Sequence, residues 1–314
     1  ILYKKGYFFK KFFSLLKGYI KRSFLLFKLK NYDIVYIFMW VVPYTGSIYE
    51  NLYRKFSNKI IYDIEDNVLI IKTNIINPIT SRFKSYNKYT NLIKKSDQII
   101  TSSPGLVTQC NNLSGKNNST YICASINLER YKPNLNNHSD QKISIGWTGT
   151  FSSQYFLKII EPYIQEISKI RNIEFIVIGD FKYKLEGVKV RSITWNKANE
   201  INDLSIIDIG IYPLEYEKWI SGKSGLKALQ YMAMSIPTIA TNVGNVKNII
   251  KDGISGFLVE NNNEWLEKLK LLIDDKDLRI KIGANGRKVI ENYYSNEMMG
   301  KKYLEVLSKV SIKN

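Results

Sequence analysis

The sequence predicts an α/β protein built from two parallel, doubly wound sheets. Two observations predict it. Apolar runs of strand length alternate with longer stretches of helical periodicity, the pattern of βαβ units. That alternation stops once, in a Pro-, Asn- and Ser-rich stretch at 131–142, and then restarts. The 314 residues, 45% of them hydrophobic, are enough for two ordinary domains. The expected division is an N-terminal domain over 1–135, a second over 136–295, and a C-terminal helix over 296–314 that returns toward the first.

Residues 1–30 read as a basic amphipathic helix broken near Gly18, with nine Lys or Arg and no acid. The apolar run Asp33-Ile34-Val35-Tyr36-Ile37-Phe38-Met39 reads as a strand and 47–56 as a helix. Lys59-Ile60-Ile61-Tyr62-Asp63-Ile64-Glu65-Asp66 reads as a buried strand ending in acids. A helix near 82–95, a strand over 96–103, a helix at 104–112 and a strand at 119–123 complete this half. After the linker, strands are expected at 142–146, 174–178, 189–193, 206–211, 236–240 and 256–259. The expected helices are 153–169, 197–203, 224–234, 245–251, 262–273, 276–293 and 296–310.

The formal net charge of +18 points to an anionic partner: nucleic acid, an acidic membrane surface or a phosphate-bearing substrate. The single histidine, His138, lies in the polar linker run, which argues against histidine-based metal or triad chemistry. Cys110 and Cys123 read as buried thiols in a reduced compartment. No apolar run reaches the roughly 20 residues of a membrane-spanning helix. Lysines interrupt every apolar stretch of 1–30, so this segment does not read as a signal peptide.

The chemistry concentrates in 208–259. Asp208–Leu214 is a strand running into a loop, and Trp219-Ile220-Ser221-Gly222-Lys223-Ser224-Gly225-Leu226 is a glycine-bearing turn that opens a helix. Free amides at a helix N-terminus behind glycines form an anion site. Gly222 and Gly225 let the backbone approach a phosphate, Ser224 and Leu226 sit beside them, and Lys223 supplies charge. Gln230, about two turns into the helix, is placed to hydrogen-bond a ribose. Gly222-Lys223-Ser224 resembles the end of a phosphate-binding P-loop, but Glu217 stands where that loop needs its first glycine. Gly146 and Gly149, with Thr148 and Thr150, lack the dinucleotide spacing and read as a second phosphate-facing loop.

Gly222-Lys223-Ser224-Gly225-Leu226-Lys227-Ala228-Leu229-Gln230-Tyr231-Met232-Ala233, continued by Ile236–Gly244 and Asp252–Val259, resembles the donor-site signature of family 4 glycosyltransferases. The resemblance covers roughly 142–310. More loosely, Ser96–Ser103 and Ser125–Pro133 look like the family's last N-domain segments. It implies the GT-B fold, two Rossmann-like doubly wound domains facing a cleft, with the donor site in the C-terminal half. It also implies a retaining transfer, no metal and no cofactor, the nucleotide-sugar being a substrate. The family has two glutamates eight positions apart, and here Gly222 and Gln230 stand in their places. Lys223 and Lys227, read as four apart on one helix face, are expected to compensate on the diphosphate, with Lys223 stabilising the leaving group. The base is expected near Ile193–Trp195, with Trp195 either stacking on it or lying in the core. The family's N-domain histidine has no counterpart, and Asp63, Glu65 and Asp66 are the candidates for acceptor binding or proton handling, Asp63 and Asp66 foremost. A plain solvated loop is the alternative there. No counterpart of the family's opening strand precedes residue 31 and the chain begins at Ile1, so the N-terminal domain is expected to lack that strand.

The branch resembled serves bacterial cell-surface polysaccharide synthesis. The expected partners are a UDP- or GDP-sugar donor, a glycan or lipid-linked glycan acceptor, and an anionic membrane surface met by 1–30. The expected location is the inner face of the cytoplasmic membrane, as a peripheral protein. For 1–30 the alternative is a core helix with a solvated lysine face. The competing function is a non-catalytic basic protein binding membranes or nucleic acid. The interleaving of lysine with bulky apolar residues suits a membrane, and nothing resembles a nucleic-acid-reading motif.

Overall fold

Strand-length apolar runs become two all-parallel sheets in a computed structural model that describes residues 8–65, 86–133, 142–217, 220 and 222–311. The chain divides into one unit of Ile1–Ile122 with Lys302–Asn314 and another of Cys123–Lys301. The division falls before the polar stretch in which the sequence expectation placed it. Most of that stretch, His138 included, lies outside the described residues, as do Asp66, Trp219 and Ser221.

The first unit runs α1 (Phe8–Leu26), β1 (Ile34–Phe38), α2 (Ile48–Phe56), β2 (Lys59–Ile64), α3 (Tyr86–Lys95), β3 (Gln98–Thr101), α4 (Pro104–Ser114) and β4 (Ser119–Tyr121). Its sheet has the order β1-β2-β3-β4. Ile60 to Ile64 are all buried, as expected of a parallel strand covered on both faces. Ser103 caps α4 by accepting the Leu106 amide at 3.3 Å, with Pro104 in the first turn. The expected break at Gly18 is absent: α1 is one helix of 19 residues. A glycine in a helix interior costs only about 1 kcal/mol against alanine, too little by itself to end a helix.

The second unit runs β5 (Ile143–Thr148), α5 (Glu161–Ile170), β6 (Ile173–Gly179), β7 (Val190–Thr194), α6 (Glu200–Leu204), β8 (Ile209–Tyr212), α7 (Leu226–Ala233), β9 (Thr238–Thr241), α8 (Val246–Ile249), β10 (Phe257–Val259), α9 (Glu264–Asp274) and α10 (Lys276–Val289). The last helix, α11 (Asn296–Ser311), starts in this unit and ends in the first. The strand order is β10-β9-β8-β5-β6-β7, so the winding reverses between β5 and β8. Trp147, Phe175, Ile145, Ile209 and Trp265 form the centre of its core, all without solvent exposure.

Two expected helices are divided. The 153–169 stretch is a 3-10 run, Phe151–Ile159, followed by α5, because Pro162 has no amide to continue an upstream ladder. The 276–293 stretch ends in a π-turn, Ile290–Tyr294. There the Tyr294 carbonyl accepts the Ile126 amide at 2.9 Å, and Asn296 N–H donates to the Ile126 carbonyl at 2.9 Å. A strand-like bridge thus takes the groups that a longer helix would need.

Candidate donor site in the second unit

In an open parallel sheet, ligands bind beyond the carboxyl ends of the strands where the winding reverses. Here that point lies past Thr148 of β5 and Tyr212 of β8. Chain leaving β8 returns through Gly222–Gly225 into α7. Gly225 has φ +79°, a left-handed conformation that favours glycine. The first bond into the helix is Leu229 N–H to Gly225 O at 3.2 Å. The amides of Leu226, Lys227 and Ala228 precede that ladder and carry the positive end of the helix dipole. The turn is fixed from below: the Ser224 carbonyl accepts Asn245 Nδ2 at 2.9 Å and the Cys123 thiol at 3.4 Å, and Asn245 is fully buried.

The two lysines differ from expectation. Because α7 begins only at Leu226, Lys223 lies in the turn, and the pair does not share a helix face. Lys227 points across the sheet end, its Nζ 4.4 Å from the centroid of the buried Trp147 ring and 5.5 Å from that of Tyr212. Burial, reinforced by the Lys223 charge, pushes its amine down to about 7.

The 146–150 loop is differently equipped from the phosphate-facing loop expected. Gly146 is a packing position: a Cβ there would meet Ile207 Cδ1 at 2.3 Å. The loop's amides are already used. Thr148 N–H donates to Tyr231 Oη at 2.8 Å, Gly149 N–H to Ile178 O at 2.9 Å and Thr150 N–H to Ser153 Oγ at 3.1 Å. What Thr148 and Thr150 can offer a ligand is therefore side-chain hydroxyl, not backbone.

A polar cluster that sequence reasoning missed surrounds Gln230. Its Nε2 donates to Tyr131 Oη at 2.8 Å and to Glu200 Oε1 at 3.3 Å. Glu200 also accepts Arg130 Nη2 at 2.5 Å, Tyr131 Oη at 3.1 Å and Trp195 Nε1 at 3.3 Å. Trp195 is 45% exposed at the end of β7, so it is not a core residue. Arg130 and Tyr131 lie inside the Ser125–Pro133 segment that carried part of the resemblance. Glu200 had no signal beyond its place at the start of a short helix.

In the first unit, Asp63 lies one residue before the end of β2, its carboxylate accepting the Tyr36 hydroxyl and the Tyr303 hydroxyl, the latter at 3.2 Å. Burial raises its pKa against the opposing effect of these two donors. Asp63 thus joins α11 to the end of the first sheet. Glu65 is partly buried, with its amide 3.4 Å from Met39 Sδ, and Asp66 lies outside the described residues. Elsewhere in the first unit, a buried pair absent from the sequence reading fixes the loop after β1: Lys88 Nζ lies 3.9 Å from Glu50 Oε1, and Glu50 accepts the Val41 amide at 3.2 Å.

Residues 142–275 match the family model described as glycosyl transferases group 1. The chain is similar to the capsular polysaccharide biosynthesis glycosyltransferase CapM of Staphylococcus aureus, 26% identical over 185 residues, which is 54% of this chain and 46% of that protein. It spans about half the length of the curated relatives it matches. Among solved structures it is similar to a glycosyltransferase from Rickettsia africae, with 18% identity, 96% of this chain and 82% of the other covered, and a TM-score of 0.70. It is also similar to Anabaena Alr3699/HepE in complex with UDP and glucose, with 15% identity, 92% and 81% covered, and a TM-score of 0.69. These likenesses show the fold: two Rossmann-like units of the GT-B class.

Proposed function

We propose that this chain is a glycosyltransferase of family 4 that moves a sugar from a UDP- or GDP-sugar to a hydroxyl of a glycan or lipid-linked glycan in cell-surface polysaccharide synthesis. The observation that carries the reading is the Gly222–Ala228 turn and helix start at the reversal of the second sheet. There, unladdered amides, Lys223 and the poorly solvated Lys227 converge on one spot. A diphosphate placed there receives preorganised donors and positive charge, and these strengthen as the bond from the sugar C1 to the phosphate oxygen breaks. The acceptor oxygen forms the new bond to C1 and gives up its proton to the departing diphosphate. The match over 142–275 and the likeness to a capsular enzyme support the reaction class and setting. Retention of configuration and independence of metal come with the family resemblance and are part of the proposal.

The test is thermal stabilisation by UDP, GDP, ADP and CMP, with Lys223→Ala as control. A nucleotide at about 100 times its Kd adds roughly 2.7 kcal/mol to the native state. A shift with UDP or GDP that Lys223→Ala loses supports the donor site and selects the base. A folded sample that responds to none of the four overturns the assignment in favour of a non-catalytic basic binding protein.

The reading also places the protein at the inner face of the cytoplasmic membrane, through α1. That helix turns Tyr19, Ser23 and Leu26 inward, where Ser23 Oγ lies 2.7 Å from Tyr49 Oη. It leaves Phe9, Phe12, Phe13, Leu16, Ile20, Phe24 and Phe27 exposed in one stripe, Phe9 at 81% and Phe27 at 83%. Lys10, Lys17, Lys21 and Lys28 follow the same helical spacing alongside that stripe. Apolar anchors flanked by cations match an anionic bilayer surface.

A further inference from the structure

We infer that Glu200 and Tyr131 act as positioning residues that lock the Gln230 amide with its oxygen facing the ligand, so that the site selects a nucleotide able to donate a hydroxyl proton there. The inference rests on the donor-site reading above, in which the ribose lies at Gln230.

A glutamate at this position needs no orientation, because both its oxygens accept. A glutamine carries one acceptor and one donor group, and which of them meets the ligand depends on a rotation of the amide. The surrounding chemistry fixes that rotation. Glu200 only accepts, so the face of the amide toward it must be NH2. Tyr131 Oη donates its proton to Glu200 Oε2 and is left to accept, so it too requires the NH2 face. Both hydrogen bonds of the Gln230 side chain accordingly leave from Nε2. Gln230 Oε1 takes no hydrogen bond among the described residues and is not among their buried, unpartnered atoms, so it reaches solvent. The lock is itself rigid. Tyr131 is 7% exposed and the Glu200 side chain 12%, and Arg130 and Trp195 hold the remaining Glu200 valences.

A fixed acceptor discriminates against a ligand that cannot donate. Fluorine in place of a ribose hydroxyl keeps the size but loses the proton. The experiment is calorimetric binding of UDP, 2′-fluoro-2′-deoxy-UDP and 3′-fluoro-3′-deoxy-UDP, and the GDP set in parallel, to the full chain and to Tyr131→Phe, Glu200→Ala and Glu200→Ala/Gln230→Glu. For the natural protein, one fluoro analogue should bind about five- to tenfold more weakly than the parent nucleotide, the loss of one hydrogen bond. In Glu200→Ala, Tyr131 Oη can donate as well as accept, so the amide is free to turn and that ratio should fall below about twofold, whereas Tyr131→Phe removes one of the two acceptors, leaves Glu200 to hold the NH2 face, and should lower the ratio only in part. Glu200→Ala/Gln230→Glu should restore it, since a carboxylate accepts in either orientation. General loosening of the site would weaken all three nucleotides alike and leave the ratio unchanged. If neither parent nucleotide binds, the donor-site reading fails and the lock with it. If a parent binds but the ratio is near one in the natural protein, or persists in full in Glu200→Ala, the donor site stands and the lock is overturned.

Discussion

At the residue scale, Lys227 is the most informative position. Its amine is held down at about 7 from an ordinary 10.5 by burial and by Lys223. An incoming diphosphate reverses that, because the nearby anion favours the charged form. Above pH 7, binding must therefore draw a proton onto Lys227. Calorimetry at pH 8 in two buffers of different ionisation enthalpy should show uptake approaching one proton that Lys227→Met lacks. Affinity should weaken as pH rises above 7. Stability runs the other way. The unfolded chain binds the proton more tightly than the folded one, so the folded state is penalised fully below pH 7 and regains stability as pH climbs toward 10.5. Lys227→Met should accordingly stabilise the apo protein at pH 6, by on the order of 2 kcal/mol, with the gain shrinking above pH 7. A denaturant titration at pH 6 and pH 9 checks the sign.

At the element scale, Tyr231 ties α7, whose Ala228, Leu229, Met232 and Ala233 are also buried, to two strands of the sheet. The Tyr231 ring lies against Gly210 of β8, where a Cβ would come within 2.6 Å of the ring. Its hydroxyl accepts the Thr148 amide at 2.8 Å. Tyr231→Phe keeps the ring and orphans that amide, which should cost about 1–3 kcal/mol. On the proposed donor reading, nucleotide affinity should fall further than this loss of stability would produce by unfolding alone, because the bond also ties α7 and its glycine turn to the end of β5. Chemical denaturation and nucleotide titration of the same variant separate the two effects. The existence of α7 and of its opening turn was legible in Gly222–Ala233. Its seating was not, because Thr148 and Tyr231 meet only when β5 and β8 lie side by side in the sheet.

At the scale of the molecule, net charge and the face of α1 make one prediction together. Liposomes containing phosphatidylserine or phosphatidylglycerol should co-sediment the protein, neutral phosphatidylcholine should do so weakly, and added salt should reverse most of the difference. Phe9→Ser/Phe12→Ser/Phe13→Ser should abolish binding without altering the first unit's fold, since the described side chains among these are exposed. Binding to duplex DNA or RNA in preference to anionic vesicles would overturn the membrane reading. The Glu50–Lys88 pair and the Asp63–Tyr303 contact, both within the first unit, show how the same chain spends buried charge: on holding loops and ends in place.

The sequence by itself determined the fold class, the alternation of strands and helices in both halves, and the place of the glycine turn that opens α7. These are written in local patterns: residue periodicity, glycine at a forced left-handed position, and an ordered motif running from Gly222 to Val259. Only the tertiary structure decided which side chains cooperate. It buried Gly146 against Ile207, consumed the amides of the 148–150 loop and moved Lys223 off the helix. It also brought Arg130, Tyr131, Trp195 and Glu200 around Gln230 from separate segments. The physical reason is one of range. A turn or a helix start is fixed by neighbours in the chain, whereas a hydrogen-bond network is fixed by which strands the sheet places side by side, and that order follows from packing the whole unit at once.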